Sequence, residues 1–218
     1  MPDLTSSLSG SAWPATFSFF PLYLDVLRWH PSASAGPHLV VGAADGKFVI
    51  PLALLGHEVL AVEHDRRLID GDHPELVAAG RNGLTARIAA ANVGHRVQTV
   101  IGDIRDAEVP KATYASTYTS CSWHYSLNAD RPVADFVQAL CDPLMVGGLL
   151  AAEYMMPTED WHLETDRYLG PGHLKKLLAS DWSVLFEAYS EPFAEAPHLG
   201  QPGSHQHRLG FILAERRG

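Results

Sequence analysis

Apolar and polar positions along the chain switch between two periods, and the switching predicts a layered fold. HLVVGAADG, from His38, is an apolar run ending in glycine, which reads as a buried strand entering a tight turn. KFVIPLALLG follows at helical spacing; Gly56 closes it, and Pro51 lies near its first turn, where a missing N–H costs least. HEVLAVEHD is a second buried strand. Leu76 to Val93, rich in alanine and interrupted by Gly80 and Gly83, reads as a helix closed by Gly94. HRVQTVIGD is a third strand and, like the second, passes from apolar residues to an acid. YASTYTSCSW is a fourth, polar for a core strand. Pro132 to Met145 is amphipathic at helical spacing and ends at Gly147 and Gly148, with LLAAEYMM behind it as a fifth strand. Gly172 to Ala179 reads as a short helix, WSVLFEAYSE as a sixth strand and HRLGFILAERR as a seventh.

Strands alternating with helices through short connections predict an α/β fold, a parallel sheet with helices on both faces. The rhythm changes at the end, where strands six and seven flank an irregular Pro/Gly/His-rich segment. That pattern predicts a C-terminal antiparallel hairpin, and with it one antiparallel strand in a seven-stranded, mostly parallel, Rossmann-like sheet. Ahead of the sheet, residues 13–30 carry a helix, FFPLYLDVLRWH from Phe19 to His30, stopped by Pro31. Residues 1–12 are small and polar and read as a flexible tail before a single domain over 13–218. Pro157 to Pro171, an irregular stretch after the fifth strand, sits where an inserted lid would cover a site.

Composition narrows the function classes. With 218 residues, 46% of them hydrophobic, the chain can bury one full core. Its net charge of −9 rests on only 16 lysines and arginines, with no basic stripe to neutralise phosphates, so nucleic acid is not an expected partner. No apolar run reaches the roughly 18 residues of a membrane span, and MPDLTSSLSGSAWP lacks the basic-then-apolar order of a signal peptide. Cys121 and Cys141 lie in interior segments and make no disulfide framework, which points to a reducing, cytoplasmic setting. A small molecule is the expected partner, and a homodimer is compatible with the sequence.

Candidate chemistry gathers at the carboxyl ends of the strands, where open α/β sheets bind ligands. Gly42-Ala43-Ala44-Asp45-Gly46 follows the first strand; small residues there let backbone N–H groups approach a ligand. Glu63 ends the second strand, where a carboxylate can accept two ribose hydroxyls. Asp103, in VIGDIRD, ends the third, where it can accept from an exocyclic amine, with Ile104 beside it. On these residues the chain resembles the class I (Rossmann-like) S-adenosylmethionine-dependent methyltransferases over roughly Leu39 to Arg216. VVGAADGKFVIPLALLGHEVLAVEHD is similar to their cofactor loop, first helix and ribose-binding acid, and VIGDIRD to their adenine-binding acid. RYLGPGHLKKLL, WSVLFEAYSE and HRLGFILAERR are similar to the C-terminal half of small-molecule and tellurite-resistance-type members. The chain departs from the family at Val40, Ala44 and Ala115, where an acid, a glycine and an acid are usual.

The resemblance implies S-adenosylmethionine as cofactor, held by Gly42, Ala43, Ala44, Gly46, Glu63, Asp103, Ile104 and Ser120, and methyl transfer to an oxygen or nitrogen of a small organic acceptor. Two alternatives belong beside it: a non-catalytic protein that binds the cofactor or a nucleoside, and an NAD-dependent oxidoreductase, whose G-x-G-x-x-G loop GAADGKF does not supply. For the transfer itself, SCSWHY from Ser120 sets a thiol, two aromatics and an imidazole at the expected mouth. His124 is the candidate base, Tyr125 a candidate hydrogen-bond donor to the acceptor, Trp123 a candidate wall, and Glu153 a candidate carboxylate at the end of the fifth strand. Trp161, His162 and Tyr168 are lid candidates. His198, His205 and His207 sit in PHLGQPGSHQHR; His205 and His207 would share a face of a strand, but without a helical i, i+4 pair or a cysteine pair the expectation is no metal.

Overall fold

The computed structural model describes residues 10–13, 19–125, 131–165, 167–195 and 203–218. Nine strands occur among them: β1 (His38–Val41), β2 (Val59–Glu63), β3 (Val97–Ile101), β4 (Tyr114–Ser120), β5 (Leu144–Met155), β6 (Trp182–Tyr189), β7 (Phe193–Glu195), β8 (His205–His207) and β9 (Leu209–Arg216). Seven form one sheet in the order β3-β2-β1-β4-β5-β9-β6, while β7 and β8 pair as a separate two-stranded hairpin. The five strands β1 to β5 run parallel, and β9 is antiparallel to both β5 and β6 between which it lies. The predicted sheet, with its closing antiparallel strand, is therefore present; the small β7–β8 hairpin inside the irregular segment was not foreseen.

Alternation along the buried strands divides the core into two layers. Val40, Ala61, Tyr118, Ala151 and Leu213 point to one face, against α1 (Phe20–Trp29), α2 (Val49–Leu54) and the helix that follows β2 at 84–90. Leu39, Leu60, Leu150, Ala152 and Ile212 point to the other, against Phe136 and Leu140 of the helix at 133–141. Helix α1 meets the sheet through Phe20, Tyr23, Leu24 and Leu27, an i, i+3, i+4, i+7 stripe, and Pro21 occupies its first turn. His38 begins β1 fully buried, its Nδ1 2.7 Å from Ser116 Oγ and its Nε2 3.2 Å from Ala33 O. Burial pushes its pKa down to about 3, so it is a neutral packing residue at the far end of the sheet from the loops described below.

Two predicted helices differ in the structure. The segment Leu76–Val93 is not one helix but α4 (Pro74–Ala79) and α5 (Leu84–Ala90), preceded by α3 (Arg66–Asp70). Gly80 ends α4 in the left-handed region at φ 61°, and at Gly83 a β-carbon would come 2.5 Å from the backbone N of Gly71, so the chain must break there to let the two backbones pass. After α6 (Ser122–Tyr125), the helix read to Met145 is α7 (Val133–Cys141), and β5 already begins at Leu144, running through Gly147 and Gly148. The short α8 (His173–Leu177) precedes β6, as expected. No helix among the described residues is long and apolar enough to cross a membrane.

Candidate functional site

Strand order reverses between β1 and β4, and the loops leaving those strands face each other across the crevice. Gly42 and Ala43 donate their N–H groups to Val62 O, at 2.9 and 3.1 Å, which turns the loop over the end of β2. The turn needs left-handed backbone at Gly42 (φ 73°), Ala44 (φ 46°) and Gly46 (φ 89°). Space as well as φ selects glycine: a β-carbon at Gly42 would lie 2.5 Å from Ser122 Cβ, and one at Gly46 would lie 2.6 Å from Leu84 Cδ1. These glycines thus serve the packing of the loop on the chain itself.

Asp45 is the anchor of the loop, and the sequence reading passed over it. Its carboxylate is fully buried, 2.9 Å from Arg87 Nη1 of α5, and accepts from Ser11 Oγ at 3.0 Å and from Ala12 N at 2.8 Å. Lys47, also buried, donates to Trp13 O at 3.0 Å. Residues 10–12, read from the sequence as the end of a loose tail, are therefore docked on the loop. The remainder of that expected tail, residues 1–9, lies outside the described residues.

The two strand-end acids stand beside this loop on adjacent strands. Glu63 is 3% exposed; its carboxylate accepts from Ala44 N at 2.8 Å and Asp65 N at 3.0 Å, and lies 3.1 Å from His64 Nδ1, whose pKa it raises. The first contact explains how Ala44 tolerates its left-handed backbone. Asp103 is held differently. Arg105 grips it through Nε at 2.8 Å and Nη2 at 2.5 Å, with a backbone bond at 2.9 Å, and these contacts hold its carboxyl below the ordinary range. One edge of Asp103 stays open, its side chain being 21% exposed. Ile104 turns inward to the core.

At the ends of β4 and β5 the structure corrects two candidates. Glu153 is fully buried, and its oxygens accept from Phe19 N, from Tyr118 OH at 2.8 Å and from Ser120 Oγ at 2.6 Å. A carboxylate with that many donors and no exposure anchors β4, β5 and the approach to α1; it is not placed to take a proton from an acceptor. Ser120 belongs to the same network. Trp123 is fully buried against Phe136 and Tyr154 and lines the core rather than the mouth. Cys121 is a buried thiol whose pKa burial pushes up, so it is no nucleophile.

His124 packs against the candidate lid. Its ring meets Tyr168 edge to face at 4.8 Å, and Tyr168 stacks on His162 at 3.8 Å, with Trp161 beside both. Burial, first of all, pushes the His124 pKa down to about 4. The candidate lid at 157–171 thus supplies an aromatic wall around a neutral imidazole, on a 3₁₀ turn at Asp160–Glu164. The Tyr125 side chain lies outside the described residues. So does His198, but His205 and His207 share a face of β8 as foreseen, with Glu195 of β7 opposite them.

No protein-family model matches the chain, and none of the curated proteins matches it in sequence. Solved structures do. TehB from Haemophilus influenzae is 16% identical with a TM-score of 0.64, the match covering 93% of this chain and 64% of that one. The glycopeptide N-methyltransferase MtfA, complexed with S-adenosyl-L-methionine, is 18% identical with a TM-score of 0.56 over 94% of this chain and 98% of its own. Geranyl diphosphate methyltransferase in complex with SAM is 14% identical with a TM-score of 0.59 over 90% and 85%. The fold is that of the class I, Rossmann-like methyltransferases, as the strand order and the antiparallel β9 require. Identities this low establish the architecture; the activity has to be argued from the site.

Proposed function

We propose that the protein binds S-adenosylmethionine across the carboxyl ends of β1, β2 and β3 and transfers its methyl group to an oxygen or nitrogen of a small organic acceptor. The observation that carries this reading is the alignment of the Gly42–Gly46 loop, Glu63 and Asp103 on three neighbouring strand ends. The donor and acceptor types suit the adenosine half of the cofactor. Carboxylates only accept, and each oxygen has two lone pairs, so Glu63 can take ribose hydroxyls in addition to the amides it already holds. The open edge of Asp103 suits an exocyclic amine, while Arg105 keeps the carboxyl ionised.

When bound, the cofactor supplies an electrophilic methyl group on a sulfonium. The chain's own residues then have to align the acceptor and keep water out. His124, Tyr168, His162 and Trp161 offer flat apolar surfaces with polar edges, which suit a planar or partly apolar acceptor. His124, with a pKa near 4, is neutral at physiological pH and too weak a base to hold a proton there. Its part is to hold the aromatic wall, packed edge to face on Tyr168. That MtfA and geranyl diphosphate methyltransferase are named for organic acceptors, and that this chain carries a net charge of −9, support an organic acceptor over a nucleic acid.

Turnover tests the transfer. Incubated with S-adenosylmethionine and a panel of phenols and amines, the enzyme is expected to release S-adenosylhomocysteine with at least one of them. The pH profile of that turnover between about 6 and 9 should show no step removed by His124→Ala, because His124 titrates well below that window. A step lost in the variant would make His124 the base after all. Cofactor binding without turnover on any acceptor would instead support the binding-protein alternative.

A further inference from the structure

We propose that Glu195, His205 and His207 form a site for one divalent transition-metal ion near the aromatic residues that pack on His124. The inference does not depend on methyl transfer. The β7–β8 register pairs Glu195 directly with His205, and His207 projects from the same face two residues on. Glu195 Oε2 lies 3.4 Å from His205 Nε2 and 2.7 Å from His207 Nε2, and the two imidazole rings meet edge to face at 4.6 Å. The three ligand atoms all fall within 4.8 Å of one another. Around a tetrahedral ion with bonds of about 2.0–2.1 Å, neighbouring ligand atoms stand roughly 3.3 Å apart. The set therefore needs to close by at most about 1.5 Å at its widest, which is within the reach of side-chain rotation alone.

A single ion pair does not account for this arrangement. One carboxylate neutralises one imidazolium; two imidazoles turned onto the same oxygen would repel each other if both were protonated. Neutral imidazoles and a carboxylate around one centre are instead the donor set of Zn²⁺, Co²⁺, Ni²⁺ or Cu²⁺, whereas Ca²⁺ and Mg²⁺ take oxygen ligands. Three protein ligands leave a fourth position of the ion for water or for an acceptor atom. The hairpin is also held in place: Phe193 of β7 packs against the cluster of Cys121, Met155 and Leu209, which Tyr168 also joins, so the three ligands stand next to the wall around His124.

The test uses the full-length protein, stripped of metal with a chelator and then titrated with ZnCl₂ by calorimetry and with CoCl₂ by visible absorption. The expected result is one ion per chain, a Co²⁺ d–d band that Zn²⁺ displaces, and loss of both in His205→Ala/His207→Ala. That variant keeps ten of the twelve histidines, so surface imidazoles elsewhere are controlled for. Glu195→Gln, which preserves the shape of the hairpin, should weaken Zn²⁺ binding by about tenfold or more. Isotherms that are the same for wild type and the double histidine variant, or no binding at all, would overturn the site. Should the double variant not fold, Glu195→Gln decides on its own: unchanged affinity rejects the proposal.

Discussion

Glu153→Ala is expected to destabilise the protein by about 3–5 kcal/mol, the range for removing one partner from a buried charged network. The side chain is fully buried, and its loss takes an acceptor from the buried Tyr118 OH and from the partly buried Phe19 N–H and Ser120 Oγ. Lys47 loses as well: burial pushes its pKa down, and the nearby charge of Glu153 opposes that shift. Glu153→Gln keeps the volume and one acceptor oxygen and should cost less, about 1–3 kcal/mol. In a chain of this size, 3–5 kcal/mol corresponds to a fall in Tm of roughly 6–20 °C. Denaturant unfolding of the two variants measures it. An alanine variant within about 1 kcal/mol of wild type would mean that the network is not formed in solution.

The second large effect is expected at Asp45, the buried acid of the β1 loop. Asp45→Ala should also cost about 3–5 kcal/mol, because Arg87, only slightly exposed, loses the carboxylate 2.9 Å from its Nη1. The same change removes the acceptor for Ser11 Oγ and Ala12 N, so the segment 10–13 should come away from the loop. Hydrogen exchange at Ala12 and Trp13 is expected to rise in the variant while the amides of the central strands remain protected. Arg87→Ala should cost a similar amount, and the double variant less than the sum, since the second change relieves the charge stranded by the first. Strict additivity would show that the two groups do not interact.

These two acids illustrate which parts of the molecule could be read from the chain. Strands β1 and β2 were legible because they are buried on both faces and their apolar residues run together, and the position of Glu63 follows from where the second run stops; Asp103 follows β3, a partly exposed edge strand whose end the Gly102 turn marks. What Asp45, Arg87 and Lys47 do was not legible, because each finds its partner through tertiary contact; Asp45 and Arg87 are 42 residues apart. Trp123 misled for a related reason. Cys121 takes a left-handed turn at φ 54°, and the single helical turn that follows swings the indole inward onto Phe136 and Tyr154. Nor do three-residue strands carry enough periodicity to stand out, so the β7–β8 hairpin was hidden among its prolines, glycines and histidines. The break at Gly83 needed knowledge of Gly71 lying against it.

Whether the aligned strand ends hold the cofactor is settled most directly by isothermal calorimetry of the full-length protein with S-adenosylmethionine and S-adenosylhomocysteine. Binding of both at one per chain is predicted. Glu63→Ala, which removes acceptors for two hydroxyls worth very roughly 1.5–3 kcal/mol each, should weaken both by about tenfold or more. Because Glu63 also holds Ala44 N and Asp65 N, the isosteric Glu63→Gln is measured beside it and should weaken binding in the same direction with the fold intact. No heat of binding with either ligand, or an unchanged Kd in a folded Glu63 variant, would contradict the assignment.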